Sequence, residues 1–519
     1  MMKPIYKLSS KLLACAIAVL ALLDEASAQQ RRVPVASGIG TLNAAITGDT
    51  GRTPNTVYVL ERGAGKIYLL SATIDHNFPL TIISEGQGER PRLIPLADNA
   101  GNSTRAFRTR ANLTLKGLYV TGENSLGALR ETNMIRTGAD NVRIVIEDCH
   151  LNRDSQSAIR LDNKFCRLFV KKSIISNIGQ ATSLDNGRFI DARGIQQDSI
   201  WVENSTVYNL TSRVYRVGDG GLSKFHYWNH NTIVNSAQHC LDVEQMATFI
   251  FTNNLVINGA YFGRSTTPVP GEIPRTLIEL DPPGPILTGM GLSLSVTIRN
   301  NNFYLDPAIS SLFPGIRGRE IITPYDSIAA VYAGKTTTEA IIFANGPPAH
   351  LPLVMAYLDT TKREASYPPF DLSKEPYDFK YPITAASYTG STAGQPLGAL
   401  TWFGIDIISA VKDRAGSEVP SAFRLLGNYP NPFSASGTFG NPSTSIRFDL
   451  PVAAEVQIAV FDLTGRQVLA TKPLRLNAGS AQALRLDASA LATGVYFYRV
   501  TAATSKQTFT GTGNMLLVK

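Results

Sequence analysis

Seven segments in the middle of the chain decide its architecture: LTLKGLYVTG from Leu113, IVIEDCHLNR from Ile144, LFVKKSIISN from Leu168, IWVENSTVYN from Ile200, HYWNHNTIVN from His226, FIFTNNLVIN from Phe249 and TIRNNNFYLD from Thr297. Each reads as a strand, a tight polar corner and a second strand. The residues just after the corner, Cys149, Ser173, Ser205, Asn231 and Asn254, are 24, 32, 26 and 23 positions apart. That is the period of a solenoid coil with loops of varying length. The corners hold Asp148, Lys172, Asn204, His230, Asn253 and Asn300. Asn stacked on Asn is expected to pass side-chain hydrogen bonds from coil to coil there, interrupted at Lys172 and His230.

Between these units lies a third strand with its own alternation: MIRTG at Met134, AIRLD at Ala158, FIDAR at Phe189, VYRVG at Val214 and CLDVE at Cys240. Three strands per coil predict an all-β chain built on a right-handed parallel β-helix. A terminal coil needs a cover. TLNAAI, Thr41 to Ile46, predicts a capping helix, VYVLERG and LTIISEG the first coils, and the Pro- and aromatic-rich 306–403 an irregular cap packed on the last coil.

Side chains alternate along a strand. With Ile135, Ile159, Ile190, Tyr215 and Leu241 facing the core, Arg136, Arg160, Asp191, Arg216 and Asp242 face outward. Two positions on, Asp162, Arg193 and Glu244 are expected to make a second outward row. Coils stack about 4.8 Å apart. Exposed ion pairs return only about 0–1 kcal/mol, so stability is a weak reason for two charged rows, and an anionic ligand laid along them is the functional reading. A solvated, salt-bridged face is the alternative. The substrate-binding candidates are Arg136, Arg160, Asp162 and His239, the last at the mouth of the expected cleft; His230 reads as a structural corner residue.

The chain ends differently. NYPNPF from Asn428, NPSTSIRFDL from Asn441, VQIAVFDLTGR from Val456, GVYFYRV from Gly494 and MLLVK up to Lys519 are short strands with turn signals. Ile446, Phe448 and Leu450, then Val456, Ile458 and Val460, then Val495, Phe497 and Arg499 read as half-buried rows of a small immunoglobulin-like β-sandwich. This series resembles the type A C-terminal sorting domain of the type IX secretion system over 423–519, with 434–440 as an inserted loop. The resemblance implies recognition by the secretion machinery, removal of the domain, and a product that is surface-attached or released. At the other end, Lys3, Lys7 and Lys11, the apolar run from Leu12 to Leu23 and Ala26-Ser27-Ala28 read as a signal peptide over 1–28. The expected organisation is therefore signal peptide, β-helix at 29–305, cap at 306–403, linker at 404–422 and sorting domain at 423–519.

Composition agrees with an exported protein. The formal charge of +8 favours acidic partners, and outside a cell that points to acidic polysaccharide. No basic helix or aromatic-basic motif suggests nucleic acid, and no stretch is long and apolar enough for a membrane span in the mature chain. Cys149, Cys166 and Cys240 read as single buried thiols, with a Cys149–Cys166 disulfide as the lesser alternative.

The stacked coils with an Asn-bearing corner also resemble the pectate lyase superfamily, including chondroitinase B-like relatives, over about 42–306. The resemblance is one of fold pattern, and the lyases' catalytic sequence motifs are not matched. It implies a saccharide cleft on the charged sheet, walled by loops at 152–157, 178–187, 210–213, 236–239 and 259–275. It further implies β-elimination of a uronic-acid polysaccharide, with Asp191, Asp242 and Glu244 holding Ca²⁺ and Arg193 or Arg216 stabilising developing charge or acting as base. A glycoside hydrolase using Asp191 and Asp242, a non-catalytic adhesin or glycan-binding protein, and a structural envelope component remain open.

Overall fold

The computed structural model describes residues 30–129, 133–180, 186–218, 220–263, 276–281, 284–289, 295–311, 320–322, 336–349, 351, 370, 372–405, 407, 422–429, 433–434, 443–476, 479–504 and 507–518. The expected signal peptide, most of the linker, most of the inserted loop and most of 312–369 lie outside them. The described chain forms two compact units, a solenoid and a C-terminal sandwich, which divide near Ile407.

The solenoid is a right-handed parallel β-helix with three strands per coil. One coil runs through Ser157–Arg160 on the first sheet, Arg167–Lys171 on the second and Ile174–Ile178 on the third. The next runs through Arg188–Asp191, Gln197–Glu203 and Thr206–Leu210. Pairing between coils is parallel throughout, and the third sheet has eleven strands. The register on the first sheet is the one read from the sequence: Ile135, Ile159, Ile190, Tyr215 and Leu241 stack, continuing to Ile278 and back to Phe107. These side chains are fully buried. Such apolar ladders exclude water along the whole axis at roughly 25 cal/mol per Å². The N-terminal end is covered as expected by a helix at Thr41–Thr47, whose Leu42 and Ile46 are buried.

The corner needs a left-handed backbone, which Asn and Asp adopt most cheaply among non-glycine residues. Asp148, Lys172, Asn204, His230, Asn253 and Asn300 all have φ between 49° and 60°. The ladder, however, is not formed by these side chains. It runs one residue later: Cys149 N donates to Ser173 Oγ, Ser173 N to Ser205 Oγ, Ser205 N to Asn231 Oδ1, Asn231 N to Asn254 Oδ1 and Asn254 N to Asn301 Oδ1, at 2.8–3.2 Å. The left-handed residue turns its side chain away from the core, whereas the next one points inward over its own backbone.

A second ladder, not anticipated, crosses the end of the third sheet. Asn177, Asn209, Asn235 and Asn258 are again left-handed, and each amide nitrogen donates to the side chain on the preceding coil at 2.9–3.2 Å, starting from Asn152. Its signal was present in the Asn that closes four of the seven repeat units, at Asn177, Asn209, Asn235 and Asn258.

Part of 336–403 departs from the expected end cap. Thr336–Thr337 pairs with Asn301–Tyr304 at the last described coil, as a cap would. The described residues 372–403 instead run back over the outer side of the third sheet. Glu375 accepts from Asn177 and Tyr208 at 2.8 Å, Gly398 O lies 3.2 Å from His230 Nδ1, and Trp402 Nε1 donates to Thr206. The reason is apolar: Tyr208, Val234, Leu255 and Ile257 project outward from this sheet, and Tyr377, Phe379, Tyr381 and Leu397 cover them.

The sandwich packs a three-stranded antiparallel sheet, Arg424–Tyr429, Ser443–Leu450 and Gly479–Asp487, on a larger sheet built around Ala454–Phe461, Gly494–Ala503 and Thr508–Val518. Ile446, Phe448 and Leu450 and Val456, Ile458 and Val460 fill its core as expected. In Gly494–Ala503 the expected face is reversed. Tyr496, Tyr498, Val500 and Ala502 are buried, while Val495 and Phe497 are 43% and 47% exposed. A period-2 strand with apolar residues on both faces does not reveal its inner side.

Asn254 is fully buried, accepts from Asn231 and donates to Trp228 O and Asn301. Asn254→Ala should therefore lower unfolding stability by about 2–4 kcal/mol, since each buried group left unpaired costs about 1–3 kcal/mol. Chemical denaturation checks this, and a midpoint within error of the parent would show that the ladder carries no load.

Candidate functional site

The candidate site is the outward row of the first sheet. In register it reads Asp75, Arg108, Arg136, Arg160, Asp191, Arg216, Asp242 and Glu279, one residue per coil. Sequence reading identified the middle five. Asp75, Arg108 and Glu279 were missed, although IDHN and LIELD carry the same alternation.

The row has two electrostatic halves. In the first, Arg136 and Arg160 are neighbours, and Asp162 bridges them: Arg160 Nε sits 2.8 Å from its Oδ1, and Arg136 Nε pairs with its Oδ2. Arg108 follows, exposed, with no ion pair among the described residues. Of the three guanidinium groups in consecutive coils, Arg136 and Arg160 thus share Asp162, and Arg108 stands in register beside Asp75. Asp75 beyond them is claimed by Arg110 through two bonds of 2.9 and 3.0 Å, which hold its carboxyl below the usual range.

In the second half the carboxylates are covered. Asp191 is fully buried, with Arg188 Nη1 and Arg216 Nη1 each 3.3 Å from its oxygens. Arg213 Nε lies 3.4 Å from Asp242 Oδ2, and His239 Nδ1 lies 3.1 Å from Glu279 Oε2. Asp191 and Asp242 face away from the core as expected but not into solvent, because the longer arginine side chains fold over them. Arg188 and Arg213 were absent from the sequence reading; Arg188 opens the strand of Asp191 and Arg213 stands just before Tyr215–Arg216, both outside the alternation that was read.

The expected second row is not regular strand: Arg193 stands at a corner and Glu244 at a bulge within the strand Leu241–Thr252. Arg193 and Glu244 have φ of 55° and 49°, and between them stands Gly218 with φ 79°. A Cβ on Gly218 would meet Gly194 N at 2.9 Å, so that coil offers no side chain to the row. Arg193 is exposed and makes no ion pair among the described residues. Asp162 belongs with Arg136 and Arg160 instead. Of the expected loops, 181–185 and 264–275 lie outside the described residues.

Calcium fits this arrangement poorly. Ca²⁺ takes six to eight oxygen ligands, yet Asp191 and Asp242 already face guanidinium groups, and a bulge separates Asp242 from Glu244. Among the described residues no group of three His, Cys, Asp or Glu is placed to hold a metal.

Burial lowers the pKa of three other histidines, of which His150 packs against Tyr119 outside the third sheet and His230 stands at a corner. His226 is fully buried edge-on to Tyr215, and burial pushes it down to about 3; His150 is likewise at about 3 and His230 at about 4. Cys149, Cys166 and Cys240 are free and buried, so the lesser disulfide alternative is not formed.

Comparison with known families bears on the C-terminal unit. Residues 428–510 match the family model described as a secretion system C-terminal sorting domain. The sandwich extends on both sides of that match, from Arg424 to Val518. No curated protein matches the chain. Among the described residues no helix is long and apolar enough to cross a membrane.

Two outcomes are expected. His150, His226 and His230 are neutral when folded and bind protons only on unfolding between their folded values and about 6.5. Their contribution is fully present above pH 6.5 and declines as pH falls toward 4. The denaturation midpoint of the chain should drop between pH 7 and pH 5, and equal midpoints would contradict their neutrality. Second, Asp191→Ala removes the buried carboxylate that Arg188 and Arg216 share and should cost about 3–5 kcal/mol, whereas Arg193→Ala should change stability by less than about 0.5 kcal/mol. Equal effects in denaturant titrations would refute the buried network. Residues 428–510 thus form a type IX secretion sorting domain, which implies export to the cell surface or beyond.

Proposed function

We propose that the solenoid binds an acidic polysaccharide along its first sheet outside the cell. The observation that carries this reading is the in-register run of Arg108, Arg136 and Arg160 with Asp162 as its close carboxylate partner. Three like charges at coil spacing repel one another, and the Coulomb term is roughly 3–4 kcal/mol per adjacent pair at an effective dielectric near 20. A polyanion with carboxylates or sulfates along its length relieves that repulsion, and guanidinium groups suit such oxygens through paired N–H donors. Arg193 and Arg216 extend the positive surface beyond the run. The resemblance of the coil pattern to pectate lyases, whose saccharide cleft lies on the corresponding sheet, supports the same reading.

Binding without turnover is favoured over cleavage. β-Elimination needs a base and an electrophile converging on one uronate. The carboxylates that would serve, Asp191 and Asp242, are engaged by arginine. In this reading the two carboxylates fix the positions of the arginines, and the arginines contact the glycan. The signal peptide directs the chain to the periplasm, and the sorting domain is removed as the solenoid is anchored or released.

Two predictions test this. Arg136→Gln and Arg160→Gln should each weaken binding to a polyuronate or sulfated glycan about tenfold, about 1.4 kcal/mol, and binding should fall as salt rises. Isothermal titration against a glycan panel reads both. Unchanged affinity in both variants would overturn the reading, and ultraviolet-absorbing unsaturated products would replace binding by lyase action. Deleting Met515–Lys519 removes the buried Met515 and Leu517 and the pairing of Leu517 with Phe433. That truncation should stay in the periplasm, and its normal delivery to the surface would refute sorting by this domain.

A further inference from the structure

The sandwich carries an apolar strip that its core does not use. Val495 and Phe497 point away from the interior, 43% and 47% exposed. Leu516 lies directly across from Val495, and Phe461 directly across from Phe497. Residues directly opposed in an antiparallel pair share a face, so the four side chains form one outward cluster. Leu463, in the turn after Phe461, is 71% exposed. Arg499 continues the strip, with its guanidinium carbon 5.3 Å from the centre of the Phe461 ring.

An antiparallel sheet with one face in water normally alternates apolar-in with polar-out. The neighbouring sheet of the same unit does this where exposed Arg447 stands between buried Ile446 and Phe448. Two large apolar residues at outward positions, beside an aromatic ring, contribute nothing to the core and cost solubility. Clustered exposure of this kind marks an interaction surface.

The occupant follows from the family match. A domain recognised as a sorting signal is read by a protein of the export machinery, and the reading needs a surface on the folded sandwich. From 423 to 519 the chain carries nine Lys or Arg against four Asp or Glu, so a partner with an acidic rim is complementary. We propose that Val495, Phe497, Phe461 and Leu516, with Arg499 at their edge, form the surface on which a protein component of the secretion machinery docks. That component presents an apolar seat bordered by carboxylates. The proposal rests on the sorting assignment and adds to it the face that is read.

The test uses the full chain produced in a bacterium with a type IX system, with periplasmic and extracellular fractions compared by immunoblot. The double variant Val495→Ser/Phe497→Ser and the single variant Arg499→Glu should each accumulate in the periplasm, with the exported fraction reduced at least tenfold. Arg447→Glu, on the opposite sheet, should be exported like the parent. Thermal melts of the purified proteins accompany the fractions, and Arg499→Glu, which removes no apolar contact, decides the matter should the double variant melt early. Normal export of Arg499→Glu, or equal retention of Arg447→Glu, would overturn the docking surface. Retention of the unaltered chain would instead overturn the sorting assignment, and the docking surface with it.

Discussion

Everything in the solenoid depends on one constraint, the parallel, in-register stacking of coils about 4.8 Å apart. Once the register is set, every residue meets the residue at the same position on the next coil. Inside, this makes ladders of Ile, Leu and Phe, which pack without competition. At the corners it forces a left-handed residue on each coil and places a buried side chain directly after it, which must satisfy the backbone N–H of the coil before. Ser173, Ser205, Asn231, Asn254 and Asn301 do so. A break in this chain of bonds leaves donors unpaired in a dry interior, where they cost most.

On the outside the same constraint sets like against like, and the chain answers in three ways. On the second sheet Phe169, Trp201 and Tyr227 stack on consecutive coils, with Trp201 and Tyr227 rings 3.9 Å apart, and Arg143 and Lys171 lie over this ladder. On the third sheet outward Tyr and Val residues are covered by the chain returning from the last coils. On the first sheet arginines from outside the row fold over Asp191 and Asp242, while Arg108, Arg136 and Arg160 keep an excess of positive charge. This last solution leaves a row of like charges for a ligand.

The sandwich obeys a different rule. Its two sheets bury one face each, so the outer faces are free to carry information. The strand at Gly494–Ala503 uses that freedom, with tyrosines and valine inward and Val495 and Phe497 outward.

The sequence by itself determined the coil period, the three strands per coil, the first-sheet register and the presence of a terminal sandwich, because each is a local period written in apolar residues. The outward positions of Arg136, Arg160, Asp191, Arg216 and Asp242 followed from that register alone. Tertiary structure decided what those positions do. Arg188 covers Asp191 from the start of the same strand, Arg213 covers Asp242 from a neighbouring loop, Gly218 interrupts the second row, and Glu375 reaches Asn177 from nearly two hundred residues away. The ladder residue moved by one position because side-chain direction at a left-handed corner is a property of φ and ψ, not of residue type. The inner face of the last strands was likewise beyond a period-2 pattern with apolar residues on both sides, since only packing against a second sheet breaks that symmetry.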